Sequence, residues 1–188
     1  MKTLFIILSL LVVGCSSSSY QSVSSDQDEF HDSSKPKRIS IKENYIAFRD
    51  PLKMVDSSQM LPYAFKKNGN IIDIGLSLRL IHDSQYGKRI FIRKGNSAIF
   101  LADGERIELK ASYGKADHSK ASYNTVTNTA SSTLYDFSAY SLSKEQYQKI
   151  AYSKSLKIRI EGSDGYEEFK KFLPSFQKNL QQFYENEL

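Results

Sequence analysis

The stretch that decides the fold spans residues 72–80 and reads Ile72-Asp73-Ile74-Gly75-Leu76-Ser77-Leu78-Arg79-Leu80. Aliphatic residues occupy every second position in it. Successive side chains of a β-strand point to opposite faces of a sheet, so this alternation is typical of a strand with one buried face. The stretch therefore predicts a half-buried strand, with Asp73, Ser77 and Arg79 on the face opposite the core.

A second informative stretch, residues 97–109, predicts a β-hairpin. Asp103-Gly104 separates two apolar runs, and Asp-Gly favours a two-residue turn because both central residues must take positive φ. If Ala102 pairs with Glu105, apolar side chains meet on one face, namely Phe100 with Ile107 and Ala98 with Leu109. The register therefore agrees with the hydrophobic pattern.

Further strands are predicted from shorter apolar runs at residues 39–48, 89–93, 134–140 and 156–160. Asp50-Pro51 ends the first of these, and residues 56–59 read as a loop. Turns are indicated at residues 68–70 and 162–165. Residues 112–132 are rich in Ser, Thr, Asn and Lys, and they favour either two weak strands around residues 123–127 or a mobile loop.

Two amphipathic helices are predicted near the end of the chain. Ser143 and Gln146 have the spacing of a capping box, which predicts a helix from there to about residue 153. The last segment has apolar residues at helical spacing, but Pro174 interrupts them. Because proline is tolerated in the first turn of a helix and not in its interior, we expect a strand at 166–172 and a helix from Pro174 to about Tyr184. A helix over 166–172 is the alternative.

These elements predict an α+β fold, an antiparallel sheet of about five to eight strands with two C-terminal amphipathic helices packed on one face. The 188 residues are 40% hydrophobic and 25% charged, which is typical of a globular domain. Tyr and Phe are abundant and Trp is absent, a composition that favours β structure.

The N-terminus has the anatomy of a secretory signal peptide. Lys2 precedes an apolar run of about ten residues, which is shorter than the roughly 20 residues that span a bilayer core. Val12-Val13-Gly14-Cys15 ends the run, and Cys15 is the one cysteine in the chain. This tetrapeptide resembles the lipobox of bacterial lipoproteins.

The resemblance implies recognition of Val12, Val13 and Gly14 by the signal peptidase and cleavage before Cys15. It also implies covalent diacylglycerol on the Cys15 sulfur and an acyl chain, such as palmitate, on the new amino terminus. Several acyl chains make membrane attachment stable. Ser16, in place of the Asp that retains such proteins at the inner membrane, implies sorting to the outer membrane and a periplasmic orientation in a Gram-negative cell. In a cell without an outer membrane, the outer face of the cell membrane is implied.

Three regions follow from this reading of the chain. Residues 1–14 form the signal peptide, residues 15–37 form a lipidated cysteine and a disordered Ser/Asp-rich tether, and residues 38–188 form a single folded periplasmic domain. The tether is predicted to be disordered because serines and acidic residues offer too little apolar surface to offset the entropy of ordering.

The sequence contains no catalytic or metal-binding pattern and no pattern typical of nucleic-acid binding. The net charge of +5 comes from scattered residues, whereas nucleic-acid binders concentrate charge on one face. His31, His82 and His118 lack a second His or Cys at ligand spacing. Asp117-His118-Ser119 has triad residue types, but adjacent residues cannot easily form a relay. No cofactor and no metal are therefore expected.

Tyrosines give the one hint of a binding surface. Tyr113, Tyr123, Tyr135 and Tyr140 lie close together in sequence, followed by Tyr147 and Tyr152. Tyrosine is enriched at protein interfaces, although sheets favour it in any case. We expect a non-enzymatic binding or accessory subunit of a cell-envelope assembly. The alternatives are an envelope enzyme with scattered catalytic residues and a surface-exposed adhesin or immune-facing lipoprotein.

Overall fold

Antiparallel strands dominate the computed structural model, which describes residues 20–25, 34–48, 57–83 and 89–188. The signal peptide and the four lipobox residues Val12, Val13, Gly14 and Cys15 lie outside the described residues, as does His31. The strands of the first half are β1 Ser22–Ser24, β2 Lys37–Ile41, β3 Tyr45–Phe48, β4 Ser57–Lys67 and β5 Asn70–Asp83.

The second half of the chain adds the remaining strands and both described helices. The strands are β6 Ser97–Ala102, β7 Glu105–His118, β8 Ser122–Asn124, β9 Thr129–Ser131, β10 Thr133–Ser141, β11 Leu156–Gly162 and β12 Gly165–Phe169. The helices are α1 Lys144–Tyr152 and α2 Pro174–Glu187.

Within the described residues, ten strands form one antiparallel sheet in the order β1-β2-β4-β5-β10-β7-β6-β11-β12, with β3 also paired to β4. The β8–β9 hairpin is separate. The predicted α+β class with a mainly antiparallel sheet is confirmed. The expected five to eight strands were too few, and of the two helices only α2 is C-terminal, because β11 and β12 follow α1.

Strand β4 is the largest element that the sequence patterns do not predict. Pro62 lies near its middle, and proline removes a donor that a central strand normally needs. In the fold, β2 pairs with β4 from Tyr63 onward and β3 pairs with it up to Gln59, so Pro62 falls between the two partners on that side. The missing N–H therefore costs no ladder hydrogen bond there.

Part of the predicted tether is ordered. Strand β1 lies inside the 15–37 segment and pairs with β2 through Ser22↔Ile41 and Ser24↔Ile39. Tyr20 is partly buried against the core. The segment is therefore not uniformly disordered, because residues 20–25 gain backbone hydrogen bonds from β2 that their own composition does not reveal.

Strand β7 connects the two halves of the sheet. Residues 105–110 of β7 pair with β6, and residues 111–118 pair with β10. Close to this junction the β7–β10 register shifts between Ala111 and Tyr113, opposite Tyr140 and Ala139, and such a bulge bends a strand and increases its twist. The inner faces of both halves thereby enclose a common core.

The core lies between the inner face of the sheet and the two helices. Ser143 caps α1 as predicted, since its hydroxyl accepts a hydrogen bond from the Gln146 N–H at 3.2 Å and its N–H donates to Gln146 Oε1 at 2.9 Å. The helices contact each other, and the Tyr147 hydroxyl donates to the Leu180 carbonyl at 3.1 Å. Pro174 begins α2 and β12 ends at Phe169, which confirms the strand-then-helix interpretation of this segment.

Residues 89–93, predicted to be a strand, form an irregular segment instead. Phe91 has a φ of 55°, which a regular strand cannot accommodate. The segment packs so closely on the sheet that a Cβ at Gly162 would lie 1.9 Å from the Ile90 carbonyl oxygen, and one at Gly114 would lie 2.6 Å from the Arg93 backbone. The absence of a side chain at these two glycines thus lets the 89–93 segment pack against the sheet. The β-propensity of residues 89–93 alone could not predict this irregular conformation.

The apolar stripe of α2 offers a stability test. Phe176, Leu180 and Phe183 are 0% exposed. We expect Phe176→Asp to cost several kcal/mol because it buries an unpaired charge, a loss comparable with a typical domain stability of about 5–15 kcal/mol. Lys178→Asp, at an exposed position of the same helix, is the matched control and should melt close to the wild type. Circular dichroism melts compare the two, and a Phe176→Asp protein that melts cooperatively near the wild-type temperature would contradict this packing.

Candidate binding surface

The sheet has an outer face that points away from the helices. The side chains on it come from β2, β4, β5, β10 and the second half of β7, because residues paired across an antiparallel sheet share a face. We call this surface the outer face, and its principal residues are Arg38, Ser40, Leu61, Tyr63, Phe65, Asp73, Ser77, Arg79, Tyr113, Lys115, Asp117, Tyr135, Phe137 and Ala139.

Arg79 forms the centre of the outer face. Its guanidinium carbon lies 5.1 Å from the ring centroid of Tyr135 and 5.7 Å from that of Phe137. The two rings stack on each other at 5.9 Å with an interplanar angle of 18°. The Nε of Arg79 is buried with no hydrogen-bond partner among the described residues. Cation–π contacts with the two rings therefore contribute to the position of the guanidinium group.

Charged and aromatic side chains continue from Arg79 along the sheet. Phe137 pairs with Arg79 on one side and with Lys115 on the other, and Tyr113 lies opposite Ala139. Lys115 Nζ lies 2.8 Å from Asp117 Oδ2, and this hydrogen bond is the main cause that lowers the Asp117 pKa. Tyr113 is 52% exposed. This part of the surface therefore combines ring area with an accessible ion pair.

A second aromatic group on the outer face lies around Tyr63. Its ring covers Gly75, where a Cβ would lie 2.0 Å from the ring. Phe65 approaches the ring edge-on at 5.6 Å, and the Arg38 guanidinium lies 5.4 Å from its centroid. The glycine among the outward-facing positions of β5 is thus explained, since the space that its side chain would fill is occupied by the Tyr63 ring. Burial is the main cause that raises the Tyr63 pKa.

A groove of about 400 Å³ extends the outer face toward β1. Its lining includes the apolar side chains of Val23 and Leu61 and the cationic side chains of Arg38 and Lys42. Ser40 also contributes, and its hydroxyl donates to the Pro62 carbonyl at 2.7 Å. The groove is shallow and open, as expected for a contact surface rather than an enclosed ligand cavity.

The structure separates the four tyrosines proposed for binding. Tyr113 and Tyr135 share the outer face. Tyr123 lies apart in the β8–β9 hairpin, where it is 61% exposed and donates to Asn128 Oδ1 at 2.9 Å. Tyr140 is 0% exposed, so its assignment to a binding surface was wrong. Tyr135 and Tyr140 are an odd number of residues apart on one strand, and the period of two therefore puts them on opposite faces.

Tyr140 instead belongs to a polar pair inside the core. Its hydroxyl accepts a hydrogen bond of 3.1 Å from Ser138 Oγ, and burial raises its pKa to about 12. Asp136, two positions before Ser138 on the same face, accepts from the Ile92 N–H at 3.3 Å through Oδ1. These contacts fix the irregular 89–93 segment against β10, which is a structural role.

Arg79, Phe137 and Lys115 are functional candidates that sequence reasoning missed. The sequence pattern places two of them on the outer face. Arg79 alternates with the aliphatic residues of its strand, and Phe137 lies two positions after Tyr135, which puts both rings on the same face. Their convergence requires β10 to pair with both β5 and β7, which are far from each other in sequence. Lys115 lies in the stretch whose structure was left open between weak strands and a loop.

Several ionisable groups elsewhere in the described chain form ion pairs at the surface. Lys110, Ser97 and Arg106 hold the pKa of Glu108 at about 2 through hydrogen bonds on the exposed side of the β6–β7 hairpin. His82 is buried and His118 is exposed. Among the described residues, no three His, Cys, Asp or Glu side chains are grouped closely enough to hold a metal ion.

No known protein family, curated protein or solved structure matches the chain. Neither described helix combines the length and apolar character that crossing a bilayer requires. The assignment of function therefore depends on the residues and the surface described above.

The burial of Tyr140 predicts a loss of stability at alkaline pH. An unfolded tyrosine ionises near pH 10, whereas the pKa of folded Tyr140 is about 12, so the folded state retains a proton that the unfolded state loses. The stabilisation is complete below about pH 10 and is lost as the pH rises through about 12, up to roughly 2–3 kcal/mol.

Tyr140→Phe removes this titration, and we expect its free energy of unfolding to depend less steeply on pH in that window. At neutral pH the variant should lose about 1 kcal/mol because Ser138 loses its acceptor. Denaturant titrations across the alkaline range measure both effects. An alkaline slope unchanged by the substitution would contradict the burial of this hydroxyl.

Proposed function

We propose that the protein is a membrane-anchored bacterial lipoprotein that binds another cell-envelope protein through its outer face. The observation that carries the proposal is the cluster of Arg79, Tyr135 and Phe137 beside exposed Tyr113 and Lys115. The protein acts as a non-enzymatic binding or accessory subunit.

The anchor is supported by the leader sequence. Val12-Val13-Gly14-Cys15 follows an apolar run with a single preceding lysine. A thiol at this position is the group that can become a thioether to diacylglycerol, and Gly14 lets a protease approach the backbone closely. With Ser16 next, the mature protein is held at the outer membrane, facing the periplasm, where the cell has an outer membrane.

The composition of the outer face favours a protein partner. Tyr, Phe and Arg are enriched at protein interfaces, and Tyr and Arg are among the residues that contribute most binding energy. The rings around Arg79 and Tyr63 are held by stacking and cation–π contacts, so little rotamer entropy remains to be lost on binding. Both described helices lie on the inner face, and on the outer face the side chains of Tyr113 and Lys115 are exposed.

The arrangement of charge on this surface also favours binding over catalysis. Arg38, Arg79 and Lys115 provide cations along the sheet, and Lys115 is paired with Asp117. These groups can complement a partner with acidic side chains at its interface, which promotes specificity and fast association. The outer face supplies contact area and charge, and its tyrosines supply polar tips.

Lipidation is tested by Cys15→Ser. The variant should lose incorporation of a fatty-acid probe and accumulate as an uncleaved precursor, because serine cannot form the thioether that precedes cleavage. Metabolic labelling followed by mass spectrometry of the N-terminus measures both outcomes. Ser17→Ala is a control that should remain fully labelled. Labelling that persists in Cys15→Ser would overturn the anchor.

The outer face is tested with a photoactivatable residue at Lys115 in cells that produce the lipidated protein. We expect one discrete cross-linked product. Tyr113→Ala should reduce it about tenfold or more, because loss of an interface tyrosine that contributes strongly to binding costs roughly 2 kcal/mol of binding free energy. Tyr123→Ala removes a similarly exposed tyrosine from the hairpin and should leave the product unchanged. Both variants should melt like the wild type. An equal loss of cross-linked product in both variants, or no loss in Tyr113→Ala, would overturn the assignment of the outer face.

A further inference from the structure

The groove beside β1 combines two cations with apolar walls. Ser40 forms its floor, Val23 pairs directly with Ser40 from β1, and Leu61 lines the side formed by β4. Arg38 and Lys42 lie on either side of Ser40 along β2. Because the side chains of a strand alternate between faces, residues 38, 40 and 42 all project from the outer face. The groove therefore presents a cation, a small hydroxyl and a second cation in one line.

Neither cation is neutralised by a carboxylate that the structure describes. The Arg38 guanidinium lies 5.4 Å from the Tyr63 ring centroid, and neither Arg38 nor Lys42 forms an ion pair within the described part of the chain. Asp73 shares a row of the outer face with Arg38, but it lies two strands away, opposite Phe65. The other described lining residues are uncharged, namely Ser24, Ser25 and Ile41. The groove therefore complements negatively charged groups.

The spacing of the two cations matches the repeat of an extended chain. Arg38 and Lys42 are four residues apart on β2, which puts their Cα atoms about 13 Å apart at 3.2–3.4 Å per residue. An extended polypeptide has the same repeat, so its side chains at positions i, i+2 and i+4 match Arg38, Ser40 and Lys42. Carboxylates at i and i+4 can each meet a cation. The small Ser40 side chain leaves space between Val23 and Leu61 for an apolar side chain at i+2.

One partner can cover both this groove and the aromatic cluster around Arg79. The sheet order places β7 four strands from β2, a distance of about 19 Å at 4.7–4.9 Å per strand. A standard protein interface buries about 800 Å² on each partner, which corresponds to a patch roughly 30 Å across. A partner that contacts Tyr113 and Lys115 on β7 can therefore also reach the groove.

From these observations we propose that the groove binds an extended segment of the partner protein with two carboxylates four residues apart and an apolar side chain midway between them. The inference rests on the proposed function, and it adds the chemistry of the partner's contact segment. The carboxylates pair with Arg38 and Lys42, and the apolar side chain lies over Ser40. This arrangement fits a peptide better than a bilayer, because headgroup charges lie outside the apolar part of a membrane and not on both sides of it.

Photo-cross-linking from Gln21 in cells that produce the full-length lipidated protein tests the groove. Gln21 is exposed, and its carbonyl accepts from the Lys42 N–H at 2.9 Å, so a photoactivatable residue there lies beside the groove without lining it. We expect a product that contains the same partner as the product formed from Lys115. Mass spectrometry of the digested product should place the cross-link at a segment with Asp or Glu at i and i+4 and an apolar residue at i+2.

Three variants test whether charge holds the segment. Lys42→Glu should reduce the Gln21 product about tenfold or more, because like charges that meet across an interface repel each other. Lys42→Arg keeps the charge and should retain most of the product. Lys157→Glu makes the same charge change at an exposed position of β11, outside the groove, and should leave the product unchanged. All three variants should melt like the wild type because both lysines are exposed.

The outcomes separate the groove from the proposed function. A Gln21 product that contains lipid or a second copy of this chain, or a partner segment without the two carboxylates, would overturn the groove assignment. The same holds if Lys42→Glu leaves the product unchanged or if Lys157→Glu reduces it equally. If Lys115 gives a product and Gln21 gives none, the groove assignment fails and the proposed function stands. If neither position gives a product, both fail.

Discussion

The rest of the structure depends on the double pairing of strand β7. Its first half completes the β6–β11–β12 part of the sheet, and its second half pairs with β10 beside β5. A bulge joins the two halves, and bulges bend and twist a strand. The bend brings two apolar inner faces toward one core, where α1 and α2 pack. A disturbance of this register would move side chains of β7 to the wrong face, because the side-chain period of a strand is two.

The same period of two creates the outer face. Tyr140 and Ser138 point into the core, while Tyr135 and Phe137, at odd-numbered positions of the same strand, point outward under Arg79. Core and candidate binding surface are therefore two sides of the same strands. Aromatic side chains on the exposed side lie against an arginine that has no hydrogen-bond partner at Nε among the described residues. Such an arrangement presents rigid ring area and positive charge together, as protein interfaces do.

The helices lie on the other side of the sheet, and the Tyr20 side chain packs against the core there as well. Phe176, Leu180 and Phe183 cover the inner face, so the helices bury the apolar stripe that a short helix cannot leave in water. Tyr20 meets Glu187 near the last turn of α2. The described start of the chain and the end of α2 thus meet through these two side chains.

The sequence by itself determined the features that short-range chemistry fixes. The Asp103-Gly104 hairpin has the predicted register, with Phe100 opposite Ile107, and Ser143 caps its helix as its spacing with Gln146 indicates. Turn geometry and capping involve neighbours in the chain, so local patterns suffice. Only the tertiary structure decided that Pro62 fits a central strand, that β1 is ordered and that Arg79 meets Phe137. Each of these depends on a partner strand distant in sequence, and the free energy of such a pairing is not encoded in the local pattern.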